Sequence, residues 1–239
     1  MTDWTIPKKP RRTYAGKVAS VTQIIGGLGW NREVLMGWAN KVGREQGLTV
    51  NQARDPKADA GTLAHHLCEC FLLDIDYQQT QDWCEALTET QDAARQALNG
   101  FRDWWGGKRA DGWTLHAVEH VLTGVGVAGT ADLFLRDPDG QYVVADIKTG
   151  SPHPEACIQL AAYASMFEHA VYRGIILHVP TDGRPVTEHH VCGDEFRAAD
   201  ELWHLLRDIH EHKKMFSGIG KRMRDATPAP VEQQQKDPF

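Results

Sequence analysis

At Trp113 the hydrophobic period of the chain changes, and this switch limits the possible folds more than any other feature of the sequence. Before it, apolar residues recur at helical spacing. After it come the strand-like runs "TLHAVEHVL", "AGTADLFLR" and "YVVADIK", the last two joined by "DPDG", a strong turn signal. "SPHPEACIQLAAYASMFEHA" then reads as a loop and a helix, and "YRGIILHV" and "VTEHHVC" read as two more strands separated by "PTDGRP". A closing helix is expected from about Glu195 to Phe216, ending near Gly218 and Gly220. Helices, three strands, a helix, two strands and a helix predict a mixed central sheet flanked by helices, an α/β (α+β) core with an N-terminal helical elaboration.

Upstream of the switch, "SVTQIIGGLGWNREVLMGWANKVGREQG" begins with a short apolar piece, breaks at Gly26 and Gly27, and continues as a helix from Arg32 to Gln46. Residues 59 to 76 read as a second helix, entered from Asp59 or Thr62 and apolar on nearly every side, as a buried helix is. A third, more amphipathic helix is expected from 80 to 104. With 239 residues, 41% of them hydrophobic, the chain can bury one sizeable core. The expected organisation is a basic N-terminal arm (1–17), one domain (18–218, helical to 108, sheet core and closing helix beyond) and a flexible polar tail (219–239). No segment has the length and apolarity of a membrane span or a signal region, so a cytoplasmic protein is expected.

Five cysteines, an odd number with no CxxC pair, argue against a disulfide framework, a zinc ribbon and a cysteine-held iron–sulfur cluster. The net charge of −6 at first disfavours a nucleic-acid partner. Its distribution does not, because "KKPRR" (8–12) and "KKMFSGIGKRMRD" (213–225) are basic. Lys213, Lys214, Lys221, Arg222 and Arg224 are therefore candidate strand-guiding residues, the plainer reading being a solvated face.

Four places carry polar groups where a core element should be apolar. At the end of "YVVADIK", Val144, Asp146 and Lys148 share one face while Ala145 and Ile147 share the other. In the preceding strand, Asp132 and Phe134 are expected opposite Ala131, Leu133 and Leu135. On the second helix His65 and Glu69 are spaced to be neighbours on one face, and Gln159 and Tyr163 repeat that spacing on the helix after the third strand. Buried charge is costly unless paired or metal-bound. Converging, these groups would form an acidic pocket with one lysine and one imidazole. Two carboxylates suit a hard cation such as Mg²⁺, and an imidazole extends tolerance to Mn²⁺. "EHH" (188–190) and "HEH" (210–212) also suggest zinc, but lack partners at ligand spacing in the sequence.

In order and with ordinary spacing, "GTLAHHLCE" (Gly61 to Glu69), "GTADLFL" (Gly129 to Leu135), "VVADIKTG" (Val143 to Gly150) and "QLAAY" (Gln159 to Tyr163) resemble the motifs of the PD-(D/E)XK nuclease superfamily. The narrower resemblance is to its RecB-like exonuclease branch, which includes phage-encoded exonucleases and the mitochondrial genome maintenance exonuclease. The opening "SVTQIIGGLGW" looks like the entry of those members, so the resemblance covers about residues 18 to 215.

It implies a restriction-endonuclease-like core. It also selects His65 over His66 as the metal-binding histidine, since the family's histidine follows a glycine by four residues. Asp132 and Asp146 fall on the family's acids, Lys148 on its lysine, and Gln159 and Tyr163 on its trailing pair. The backbone carbonyl of Ile147 and, on the first core strand, Glu119 are implied as further ligands, with Glu69 as a supporting neighbour. The CRISPR-adaptation branch adds an iron–sulfur cluster; with no cysteine before Cys68 or after Cys192, none is expected here. A helicase or recombinase partner, if any, would be a separate protein. The expectation is an Mg²⁺- or Mn²⁺-dependent deoxyribonuclease acting on DNA ends or single strands in phage-type replication, recombination or repair. The alternatives are a catalytically silent DNA-binding or recombination-partner module of the same fold, and an RNA-processing nuclease.

Overall fold

A computed structural model of the protein describes residues 18–30, 32–47 and 49–225. The basic arm expected over 1–17, and the expected tail from 226 onward, lie outside the described residues. The chain enters through β1 (Ala19–Ser20) and α1 (Val21–Ile25). Ser20 starts that helix with a reciprocal cap: its hydroxyl accepts from the Gln23 amide while the Gln23 side chain accepts from the Ser20 amide. The helical part continues with α2 (Arg32–Gln46), α3 (Val50–Leu72), α4 (Gln81–Glu85) and α5 (Thr88–Ala110). Then follow β2 (Thr114–Gly124), β3 (Val127–Arg136), β4 (Tyr142–Lys148), α6 (Glu155–Met166), β5 (Val171–His178), β6 (Thr187–Val191) and α7 (Gly193–Asp225).

The six strands form one mixed sheet. β3 pairs antiparallel with β2 along one edge. Its other edge is divided: β1 runs parallel to it at Val127 and Ala128, and β4 runs antiparallel to it from Leu133 to Arg136. Residues 129–132 lie in the interval between these two partners, where the sheet opens. β4 pairs parallel with β5, and β5 antiparallel with β6.

A core lies on each face. Phe134, Val144 and Ile176 pack with α1, α6 and α7 on one side, while Leu133, Leu135, Ala145 and Ile147 pack with α3 and α5 on the other. Trp203 of α7 is completely buried, a burial that stabilises by about 1.5–3 kcal/mol or more and fixes α7 to the sheet.

Four expectations require correction. α3 starts at Val50 rather than at Asp59 or Thr62, because the Thr62 hydroxyl donates to the Ala58 carbonyl one turn back instead of capping a new helix. The single helix expected over 80–104 is two, since Ala86 and Leu87 adopt extended backbone between α4 and α5. α7 does not stop near Phe216, so residues 219–225 belong to the helix rather than to a tail. A glycine inside a helix costs only about 1 kcal/mol, and no proline follows until Pro228. The alternation of β3 also breaks, since Ala131 packs in the same core as Phe134. The break falls at Asp132, opposite Glu119 of β2, where the ladder skips one pair and Glu119 takes a left-handed φ of 49°.

Candidate active site

Two glycines bring the site together. A Cβ at Gly61 would stand 2.6 Å from Thr149 Oγ1, so α3 can lie this close to the end of β4 only because position 61 carries no side chain. One turn later the same helix presents His65, whose Nδ1 is 3.9 Å from Asp132 Oδ2. A Cβ at Gly129 would stand 2.6 Å from the Tyr163 ring, so β3 is equally tightly fitted to α6. The glycines of "GTLAHH" and "GTAD" are thus contacts between elements, one on each face of the sheet.

Between them β3 and β4 part. Their pairing ends at Leu133 and Ala145. Beyond that point the Asp132 carboxylate replaces the missing backbone acceptor and takes a hydrogen bond from the Ile147 amide at 2.8 Å. Asp146 is 2% exposed. Its Oδ2 lies 2.5 Å from Lys148 Nζ, yet it accepts no hydrogen bond of good geometry and remains a buried oxygen short of a partner. Burial, reinforced by the negative charge of Asp132, pushes the Asp146 carboxyl up to about 6. Burial alone would lower the Lys148 ammonium, but Asp146 and then Asp132 outweigh it and hold the group above its ordinary value. Lys148 Nζ also donates to Gln159 Oε1 at 3.2 Å, and Gln159 Nε2 donates to Tyr163 Oη at 2.8 Å. The chain Asp146, Lys148, Gln159, Tyr163 therefore joins the end of β4 to two turns of α6.

A small cleft beside Asp132 is lined by His65, Glu69, Glu119, Asp132 and Ile147, with Leu72, Val118 and Leu133; Asp146 and Lys148 are not part of its lining. Glu69 also lies 3.9 Å from Nδ1 of His66, the neighbour of the expected ligand. Glu119 reaches the cleft from a backbone conformation that non-glycine residues rarely adopt, which marks a position held by its surroundings. The charge on Asp146 feels both Asp132 and His65.

The residues fit a hard divalent cation: a buried carboxylate oxygen without a hydrogen bond, a second carboxylate, an imidazole and a nearby carboxylate of Glu119 offer the oxygen-rich set such an ion takes. His65, Asp132 and Asp146 would hold it, with the Ile147 carbonyl and Glu119 available to complete the shell. Lys213, Lys214 and Arg222 lie far along α7 and are exposed, Lys214 pairing with Glu211 at 2.7 Å. The side chains of Lys221 and Arg224 lie outside the described residues. Sequence reasoning did not single out Thr149, whose role exists only through its contact with Gly61.

Residues 40–233 match the sequence profile of the PD-(D/E)XK nuclease superfamily. A solved structure described as "Crystal structure of SSO0001" is similar to this chain at 14% sequence identity and a TM-score of 0.36, over 83% of this chain and 79% of that one. At that level the likeness carries no argument. No curated protein matches the chain.

Proposed function

The chain belongs to the PD-(D/E)XK nuclease superfamily, and on that premise we propose that it is an Mg²⁺- or Mn²⁺-dependent deoxyribonuclease that hydrolyses phosphodiesters at DNA ends or in single strands. The observation that carries this reading is Asp146: a nearly inaccessible carboxylate whose contact with Lys148 does not offset its burial and the negative charge of Asp132, so that its carboxyl is raised to about 6. A purely structural acid would be neutralised or fully bonded there. A divalent cation held by His65, Asp132 and Asp146 supplies polarisation of the phosphodiester and offsets the negative charge that develops on its oxygens.

The remaining work falls to the protein. Lys148 serves the attacking water and the scissile phosphate, as a donor and positive charge beside them. Gln159 holds the Lys148 amine and Tyr163 holds Gln159, which keeps that charge in one place. Asp132 fixes the backbone at Ile147 by accepting its amide hydrogen bond. The basic residues of α7, Lys213, Lys214, Lys221, Arg222 and Arg224, guide the strand by contact with phosphates.

The test is incubation with end-labelled linear single-stranded DNA, linear duplex and circular DNA, each with Mg²⁺, Mn²⁺ or EDTA. Release of short products from linear substrates with metal and none with EDTA is expected. Binding of DNA without cutting in either metal would overturn the enzyme and leave a silent module.

A further inference from the structure

"EHH" (188–190) has no partners at a recognised metal-ligand spacing in the sequence, yet the fold brings two candidate ligands to His189. Gly193, at φ 55°, turns the chain from β6 directly into α7 and brings Glu195 of the first helical turn back onto His189. His189 Nε2 lies 2.9 Å from Glu195 Oε1. From the first turn of α6, the Cys157 thiol donates to the same oxygen at 3.7 Å. The three ligand atoms all lie within 4.8 Å of one another, and they come from three different elements.

We propose that Cys157, His189 and Glu195 form a Zn²⁺ site separate from the nuclease cleft. The donor set is one soft thiolate, one imidazole and one carboxylate, a combination that selects zinc over the magnesium class of ions. Geometry agrees. Around tetrahedral zinc, with metal–nitrogen and metal–oxygen distances near 2.0–2.1 Å and metal–sulfur near 2.3 Å, ligand atoms sit about 3.3 Å (N to O) and about 3.6 Å (S to O) apart. The observed 2.9 Å and 3.7 Å need only small side-chain adjustments to match. Charge also balances: a thiolate and a carboxylate offset the dication, with the imidazole neutral. On binding, the sulfur–metal bond forms as the S–H proton passes to solvent, and the exposed edge of the site leaves the fourth position to water.

Among the described residues one other trio has comparable spacing, His116, Glu168 and His169. Its imidazoles are already accounted for by packing, with His169 stacked on Tyr142 and His116 edge-on to Tyr142 and Phe167. It offers no thiolate. The Cys157 site instead ties the start of α6 to β6 and α7, and Gln159, which holds Lys148, follows Cys157 by two residues. Zinc would therefore act as a clamp on the helix that supports the catalytic lysine.

The experiment uses the full chain, stripped of metal and kept reduced without added thiols, titrated with Co²⁺ as a spectroscopic substitute. A sulfur-to-cobalt charge-transfer band that saturates at a single equivalent and is displaced by Zn²⁺ is expected. It should disappear in Cys157→Ser and weaken in His189→Gln, a change at an exposed side chain that does not threaten folding. It should persist in Asp146→Asn. In the Asp146→Asn background, Zn²⁺ should raise the Tm, and adding Cys157→Ser should abolish that rise. No saturable thiolate band, a band that survives undiminished in Cys157→Ser, or one that is lost in Asp146→Asn would each overturn the assignment.

Discussion

Two buried aspartates, one just past the end of β3 and one within β4, behave in opposite ways. Asp137 is 5% exposed and pairs with Arg173; Asp146 is 2% exposed and lies against Lys148. Burial pushes both carboxyls upward. At Asp137 the Gln141 amide and Arg173 more than compensate, and the group is held below the ordinary carboxylate value. At Asp146 compensation fails, Asp132 adds repulsion, and the group is raised. The same residue type, similarly buried and similarly paired, is satisfied in one place and left in need of a cation in the other. That deficit is the feature on which the proposed metal-binding role of Asp146 rests, and Asp137 lacks it.

The largest test of this contrast is a paired substitution. Asp146→Asn should reduce nuclease activity by about 10³-fold or more with little loss of stability, because it removes the group that needs the cation and relieves a buried charge. Asp137→Asn should do the reverse, leaving turnover within a few fold while lowering unfolding free energy by about 1–2 kcal/mol, the half-exposed arginine limiting the cost. Turnover on labelled DNA and urea denaturation of both variants measure it. If both lose activity equally, the contrast has no functional meaning.

Next in size is Lys148→Met, which keeps the apolar stem and removes the charge. A loss of about 10²-fold in turnover is expected, with Mn²⁺ binding by calorimetry retained. Loss of metal binding instead would show that the lysine organises the acids rather than the reaction.

A smaller effect tests the scaffold that creates the contrast. Gly61→Ala places a carbon 2.6 Å from Thr149 Oγ1 and should cost about 1–3 kcal/mol, along with activity, as α3 and His65 are displaced. Adding Thr149→Ala should restore most of both. A double variant no better than the single one would remove the contact from the account.

The smallest effect is in the pH dependence of the metal-free protein. Asp146 holds its proton more tightly folded than unfolded, so folded chains carry more protons from about pH 4 to 6 and stability falls as pH rises through that window. Asp137 contributes the opposite slope, its stabilisation being lost as pH falls through its depressed value. Denaturation in EDTA should show a flatter decline over pH 4 to 6 for Asp146→Asn and, below about pH 4, a weaker rise of stability with pH for Asp137→Asn.

The element order and the mixed sheet were legible because the period changes at Trp113 and turns carry their own chemistry. Gln159 and Lys148, and His65 and Asp132, could be proposed as neighbours only from the order of motifs; no local pattern states that α3 and α6 reach the parting of β3 and β4 from opposite faces. Helix ends were the weakest part. Thr62 has the composition of a cap but bonds backward to Ala58, and Gly218 and Gly220 have the composition of a stop but sit within α7. The left-handed turn of Glu119 and the approach of Thr149 to Gly61 are consequences of tertiary packing, which single-residue propensity does not encode. The meeting of Cys157 with His189 and Glu195 was hidden for the same reason.

The most direct measurement is anomalous diffraction from crystals soaked in Mn²⁺ at the manganese edge. The account predicts a peak within coordination distance, roughly 2.0–2.3 Å, of carboxylate oxygens of both Asp132 and Asp146, with the His65 imidazole turned toward it. Saturating Mn²⁺ with no density between those two carboxylates would contradict it.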